Sequence, residues 1–357
     1  MDKKKKIMFI VEAMGGGVFS YIVDLANELV DSYEIYIAYA IRRQTPDNYS
    51  EYFDKRIHLI EVKNFCRAID LKKDSSAFFE IKKIVTRIKP DVIHLHSSKA
   101  GVIGRLAFNG NIPVFYTPHG YSFLMENYKP FKRMVFKGIE RICAKRNCTT
   151  ISCSIGEHKE TLKLTKQATY VNNGINIEKL QAIIDKTKKE EHPFTVYTLG
   201  RICYQKNPAL FNEIAKKLPD VKFVWIGDGE LRGELTSSNI EITGWIDRTT
   251  AIKYAVNADA FLLPSLWEGL PISLLESMYM KKVCVVSDVI GNRDVIHNNK
   301  NGFVCDSLEQ YVQVIQKIQV VGYENLSDSA HKDILWLYNT EVMAREYSAI
   351  YNDKIIG

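Results

Sequence analysis

Short apolar runs alternate with amphipathic stretches along almost the whole chain, and this alternation is what most constrains the fold. Residues 1–175 carry such runs at Ile7–Val11, Ile35–Tyr39, Ile57–Val62, Val92–Leu95, Val114–Thr117, Thr150–Cys153 and Thr169–Asn172. Stretches with helical spacing lie between them at Val18–Val30, Ser75–Ile88, Lys99–Asn109 and Pro130–Arg146. Strand–helix alternation of this kind predicts a parallel sheet with helices on both faces. A polar stretch, Asp185–Pro193, interrupts the pattern, which then starts again. The second series has strands at Phe194–Leu199, Lys222–Ile226, Ile240–Thr243, Ala260–Leu263, Val283–Val286 and Phe303–Cys305. Its helices are expected at Pro208–Leu218, Ala251–Val256 and Ile272–Met280. The turn signal Asn172-Asn173-Gly174-Ile175-Asn176 separates the series. The reading is an α/β chain of two Rossmann-like domains, 1–175 and 176–335. The tail Trp336–Tyr351 has the spacing of an amphipathic helix.

A chain of 357 residues suits two domains of ordinary size. No run approaches the ~18 apolar residues that span a bilayer. Lys3–Lys6 followed by Ile7–Val11 resembles a signal peptide briefly, but Glu12 interrupts it and Gly15-Gly16-Gly17 reads as a strand-to-helix turn. The seven cysteines form no Cys-x2-Cys pair, which argues against zinc and suits a reducing cytoplasm. The net charge of +6 is unevenly spread. Residues 1–175 carry 28 Lys+Arg against 18 Asp+Glu, and residues 176–357 carry 20 against 24. The basic first half therefore suits an anionic surface or substrate.

Several residues at strand ends suit a phosphate-bearing ligand. Glu268 and Glu276 lie eight positions apart, the first in the loop after the strand Ala260–Leu263, the second in the helix after Pro271. In open α/β sheets that edge binds ligands, and helix N-termini take anions. Two carboxylates around Gly269, Leu270 and Pro271 suit a ligand with both hydroxyls and phosphate. Arg201 and Lys206 follow the strand Phe194–Leu199 and can hold a diphosphate's developing charge. Gly15-Gly16-Gly17 lets backbone N–H groups approach a ligand. Ser20 in place of a third spaced glycine, with no ribose-binding acid following, disfavours a dinucleotide oxidoreductase. His119 sits between Pro118 and Gly120 at a strand end. His94 and His96 either line an acceptor cleft or are core histidines. Arg133, Lys137, Arg141 and Lys145 recur every four residues, either as a membrane-facing stripe or as a solvated helix face. No nucleic-acid-binding module is recognisable.

The Glu-x7-Glu spacing, Gly200-Arg201…Lys206 and Asn173-Gly174-Ile175-Asn176 together resemble the retaining glycosyltransferases of GT-B fold, most closely family 4. Asn176 stands where that family's hinge has Asp. The resemblance implies two Rossmann-like domains facing across a cleft, with a final helix, about 336–357, packing back on the first domain. It implies an acceptor-binding first domain and a donor-binding second domain. Glu276 would then bind the nucleotide ribose, and Glu268 hydroxyls of the transferred sugar. Gly269, Leu270 and Pro271 would face sugar and diphosphate. Arg201 and Lys206 would hold the diphosphate. Gly16, Gly17, Gly227 and Trp245 would border the donor, and His119 would face its sugar. Gly291-Asn292-Arg293-Asp294, where the family often has Gly-Gly-x-x-Glu, receives no role.

The expected activity is retaining transfer of a sugar from a nucleoside diphosphate, uridine by default and guanosine next, to a glycan or lipid-linked acceptor. Surface polysaccharide or glycoconjugate assembly is the expected setting, in the cytoplasm or on the inner face of the membrane. No cofactor or metal is expected, because the chain has no Asp-x-Asp. A nucleotide-sugar epimerase of the same fold and a non-catalytic nucleotide-sugar-binding protein are the alternatives. The first needs an acid/base pair that the sequence does not reveal, and the second would show no turnover.

Overall fold

A computed structural model describes residues 4–42, 44–66, 70–108, 110 and 112–356. Lys3, Asn109 and Gly357, which the sequence readings include, lie outside them. The chain forms two compact units. One holds the chain up to Leu124, Tyr128–Asn173 and the segment from Thr340 on; the other holds Met125–Asn127 and Gly174–Asn339.

The first unit contains β1 (Lys6–Met14), α1 (Gly16–Leu29), β2 (Glu34–Ile41), β3 (His58–Glu61), α2 (Leu71–Ile88), β4 (Val92–His96), α3 (Ser98–Ala107), β5 (Val114–Thr117), α4 (Pro130–Cys143), β6 (Thr149–Ser152), α5 (Ile155–Leu162) and β7 (Ala168–Tyr170). Its seven strands are parallel and run in the order β3-β2-β1-β4-β5-β6-β7. Strand β1 is buried on both faces, as a central parallel strand must be. One face packs against α1 through Tyr21, Ile22 and Leu25, and the other against α2 and α3 through Ile81, Ala100 and Ile103.

The second unit contains α6 (Ile177–Asp185), β8 (Thr195–Leu199), α7 (Pro208–Lys217), β9 (Lys222–Ile226), β10 (Ile240–Ile242), α8 (Arg248–Val256), β11 (Ala260–Leu263), α9 (Ile272–Tyr279), β12 (Val283–Ser287), α10 (Asn292–Val295), β13 (Phe303–Cys305), α11 (Leu308–Val321) and α12 (Glu324–Leu337). Its sheet is also parallel, in the order β10-β9-β8-β11-β12-β13. In each sheet the strand order reverses beside the first strand of the unit, between β1 and β4 and between β8 and β11. Such a reversal opens a crevice at the strands' C-terminal ends, where ligands bind.

The last helix, α13 (Thr340–Ile356), belongs to the first unit. Its Met343, Tyr347 and Tyr351 are buried in that unit's core. The single helix expected from Trp336 onward is two helices. Asn339 breaks it by turning its Nδ2 onto the Leu335 carbonyl at 2.8 Å, capping the end of α12. Trp336 thus ends α12 and is exposed rather than packed. Helix α2 begins four residues earlier than expected because Asp70 caps it, accepting from the backbone N–H groups of Lys72 and Lys73.

Candidate active site

Two ion pairs organise the C-terminal edge of the second sheet. Lys206 comes from the turn after β8, and Glu268 from the loop after β11, so they flank the point where strand order reverses. Lys206 Nζ lies 2.7 Å from Glu268 Oε1. Gln205 donates to Glu268 Oε2 at 3.2 Å and to the Trp267 carbonyl at 2.9 Å. The Leu266 N–H closes the two loops on the Gln205 carbonyl. Glu268 is buried, with only its edge accessible. In the second pair Glu276, on the buried side of α9, meets the guanidinium of Arg248, the first residue of α8. A buried carboxylate hydrogen-bonded to a cation is held in place by the pairing.

Glycines let the surrounding turns approach. Gly227 has φ +139°, and a Cβ there would lie 2.3 Å from the Gly200 carbonyl oxygen. Gly291 has φ +86°, and a Cβ there would meet the Gly269 carbonyl oxygen at 2.3 Å and Glu268 Cβ at 3.2 Å. Gly291 thus supports the Glu268 loop from below, a part the sequence did not assign. Arg201 is half-buried, with Glu230 Oε2 4.0 Å from its Nε. Trp245 follows Gly244 (φ +73°) with its indole largely exposed. Leu270 is buried, and Pro271 is the cap residue immediately before α9.

In the first unit, Gly16 and Gly17 open α1, and no atom lies within 4 Å of where a Cβ would stand. That turn follows β1 and borders the strand-order reversal. His119 follows β5 in the left-handed conformation, φ +55°. Glu157 fixes its neighbourhood, accepting from the Gly120 N–H at 2.7 Å and from the Cys153 N–H at 2.8 Å. The ring of Tyr21 meets His119 edge-on at 4.6 Å. Burial pushes the His119 imidazole pKa down to about 3, so it is neutral at physiological pH.

His94 and His96 do not line an accessible surface; both are fully buried, which corrects their assignment to an acceptor site. His94 is a core histidine with both nitrogens bonded, Nδ1 to Tyr351 Oη at 2.6 Å and Nε2 to Thr117 Oγ1 at 2.8 Å. His96 Nδ1 instead reaches His119 Nε2 at 3.1 Å.

Comparison with known proteins shows the family along most of the chain. The pattern described as Glycosyltransferase Family 4 matches residues 15–179, and that of Glycosyl transferases group 1 matches residues 179–320. The chain is 31% identical, over 86% of its length and 87% of the relative's, to an Escherichia coli UDP-Gal:alpha-D-GlcNAc-diphosphoundecaprenol alpha-1,3-galactosyltransferase. The protein belongs to glycosyltransferase family 4. A Campylobacter jejuni N,N'-diacetylbacillosaminyl-diphospho-undecaprenol alpha-1,3-N-acetylgalactosaminyltransferase is 25% identical over 78% of this chain and 81% of its own. The fold is GT-B, shared with sucrose-phosphate synthase from Thermosynechococcus elongatus at a TM-score of 0.82, 15% identity and 98% and 99% coverage. Anabaena HepE in complex with UDP and glucose gives 0.78, at 15% identity and 98% and 100% coverage.

In this glycosyltransferase the expected basic stripe is not one solvent-facing row. Arg133 Nε donates to the Phe123 carbonyl at 2.9 Å, and Lys137 Nζ lies over the Phe123 ring. Lys145 lies beyond the end of α4. Exposed along α4 are Phe131, Met134, Val135 and Ile142, with Lys132 and Arg141 among them and Lys145 and Arg146 just past the helix end. The inner side of α4 carries a charged pair among apolar groups: Glu140 is buried against Arg105 at 2.7 Å and Tyr116 Oη at 3.0 Å, while Phe136 and Cys143 also face inward. Gln205, Arg248 and Gly291 are the site residues that sequence reading passed over. Gln205 lay within the quoted Gly-Arg…Lys segment; Arg248 had no local signal.

Proposed function

We propose that this glycosyltransferase moves a hexosyl or N-acetylhexosaminyl group from a UDP-sugar to a lipid-linked saccharide, with retention and without a metal ion. The observation that carries the reading is the Lys206–Glu268 pair at the strand-order reversal of the second unit. It offers a fixed cation for a leaving diphosphate beside a fixed carboxylate for sugar hydroxyls. The names of the relatives supply the donor and acceptor class, since two of them act on diphosphoundecaprenol-linked saccharides.

Glu276, held by Arg248, offers a carboxylate oxygen to the ribose hydroxyls, and Trp245 and Gly227 border the base and diphosphate. Gly269, Leu270 and Pro271 present the start of α9 to the donor. As the bond from the anomeric carbon to the diphosphate oxygen breaks, Arg201 and Lys206 take up the growing negative charge. The acceptor hydroxyl forms its new bond on the same face, and its proton passes to the leaving diphosphate oxygen. Within the first unit, Gly16, Gly17 and His119 stand at strand ends beside that sheet's own strand-order reversal, where a substrate oxygen would lie. The work takes place at the cytoplasmic face of a membrane; seven free cysteines and the exposed apolar and basic side chains of α4 support that setting. Among the described residues no helix is long and apolar enough to cross a membrane.

The test is incubation of UDP-galactose and a diphosphoundecaprenol-linked N-acetylglucosamine acceptor with the protein in EDTA. A glycosylated lipid of α configuration is expected. UDP should bind in calorimetry, and Glu276→Ala should weaken it by about 1–3 kcal/mol. Donor converted to an epimer would mean an isomerase. UDP binding without product from any sugar or acceptor would mean a binding protein.

A further inference from the structure

His94 and His96 sit two residues apart on one strand, yet their hydrogen bonding differs. His94 has a partner on each nitrogen. His96 has one, on Nδ1, and it is His119 Nε2 at 3.1 Å, with the two rings stacked 24° apart. Among the described residues, none is a hydrogen-bond partner of the buried His96 Nε2. It sits in a ring of aromatic groups: the His94 centroid lies 4.0 Å away, Phe9 edge-on at 5.1 Å and Tyr21 at 5.9 Å.

This asymmetry decides a proton position. Two neutral imidazoles joined by one hydrogen bond hold one proton between them. If His119 donated it, His96 would carry its own proton on Nε2, a buried N–H with no acceptor, which is the rarer and costlier orphan. If His96 donates it, the unpaired atom is a bare lone pair, the less costly orphan of the two. We propose that His96 is a positioning residue for His119: its Nδ1–H donates to His119 Nε2 and holds His119 as the tautomer with its proton on Nδ1. The bond one ring nitrogen makes sets the proton on the other. Burial keeps both rings neutral, so neither competes by taking a second proton.

The remaining surroundings hold His119 still. Its backbone is locked between Pro118 and the Gly120–Glu157 bond. Tyr21 packs on its ring, and the Tyr21 hydroxyl is tied to that of Tyr347 on α13. Among the described residues His119 Nδ1 has no hydrogen bond, and the residue is partly exposed. His119 therefore offers a fixed N–H donor to a substrate oxygen, such as a sugar hydroxyl or a diphosphate oxygen. This inference rests on the reading of His119 as a site residue.

Nuclear magnetic resonance of protein with 15N-labelled histidine tests it, the His119 ring being assigned by its loss in His119→Gln. A protonated Nδ1 and bare Nε2 are expected on His119. In His96→Phe the proton should move to Nε2 or exchange between the two. In that variant kcat for UDP release from UDP-galactose, with the lipid-linked acceptor, should fall about 10- to 100-fold, while KM for the donor changes less than about twofold. His96→Asn, whose amide can donate from the place of Nδ1, should keep the wild-type tautomer and most of kcat. A wild-type spectrum with His119 protonated on Nε2 overturns the proposal even if no variant folds. So does a His96→Phe protein with unchanged spectrum and turnover. Full turnover in His119→Ala would instead remove His119 from the active site and leave the tautomer assignment standing.

Discussion

At the scale of single residues, Lys206 and Glu268 should behave as one unit. Each is the other's charged partner at 2.7 Å, and both are largely buried. Glu268→Gln keeps the shape and removes the charge. It should lower kcat about 100-fold, the usual loss when one preorganised electrostatic group is removed. Lys206→Met should do about the same, and the double variant should be little worse than either, because contacting residues do not act additively. Steady-state kinetics on the four proteins measures this; effects that multiply would mean that the two side chains act separately. These residues were legible in the sequence because each stands in a strand-to-helix turn beside glycine or proline. Their pairing was not. Lys206 and Glu268 are 62 positions apart, and Arg248 and Glu276 are 28 apart, so only the fold brings the partners together. His94 and His96 show the opposite failure. A polar residue at a strand end looks like a site residue until Tyr351 of α13, 257 positions away, is seen to bond one of them.

Among elements, strands were the most legible. All thirteen runs are strands; the central ones are apolar because both their faces are covered, while the edge strands β3, β7 and β10 are only half-buried. Helices α5, α6, α10, α11 and α12 were passed over; α5, α6 and α10 are too short to carry much periodic signal, whereas α11 and α12 are full-length helices that went unassigned. Asn176, read only as part of a turn, caps α6 by accepting from the Lys179 N–H at 2.8 Å. Helix α4 is the element whose faces run against expectation, with a charged pair inside and apolar groups outside. The two faces should respond oppositely to substitution. Glu140→Ala strands the Arg105 guanidinium in the core and should destabilise the first unit by about 3–5 kcal/mol in urea unfolding. Replacing both Phe131 and Ile142 by Ser should change stability by no more than about 0.5 kcal/mol. The same double variant should lose binding to vesicles containing phosphatidylserine, measured by sedimentation. Each nearby cation contributes roughly 1 kcal/mol at such a surface, so added salt should weaken the wild-type binding. Equal binding by wild type and variant would leave α4 as an ordinary solvated helix with an apolar exterior.

For the whole molecule, two fully buried histidines and one partly exposed one tie the stability of the first unit to pH. His94, His96 and His119 all belong to it, and burial lowers the pKa of each, His119 to about 3. Unfolding exposes them to water, where an imidazole titrates near 6.5. Below that pH the unfolded chain takes up protons that the folded unit refuses, so stability falls as pH falls. Above it both states are neutral and this contribution is fully present. Each such proton contributes a slope of about 1.4 kcal/mol per pH unit. Three give about 4 kcal/mol per unit between pH 6.5 and 5, above the range where ordinary carboxylates titrate. A chain of two compact units need not unfold in one step, so the transition must be assigned before it is read. Tyr21, Tyr116, Tyr347 and Tyr351 are buried in the first unit. All four tryptophans, Trp225, Trp245, Trp267 and Trp336, lie in the second unit, so a transition seen by circular dichroism and not by tryptophan fluorescence belongs to the first. The transition reported by the first unit should hold steady from pH 8 to 7 and shift sharply to lower urea below pH 6.5. His119→Asn, which removes one of the three groups, should reduce that slope by about one proton. A first-unit midpoint that stays level down to pH 5 would mean that these imidazoles take up protons inside the fold. His119 would then be a cation in mild acid, and the neutral hydrogen-bonded pair with His96 would exist only above that range.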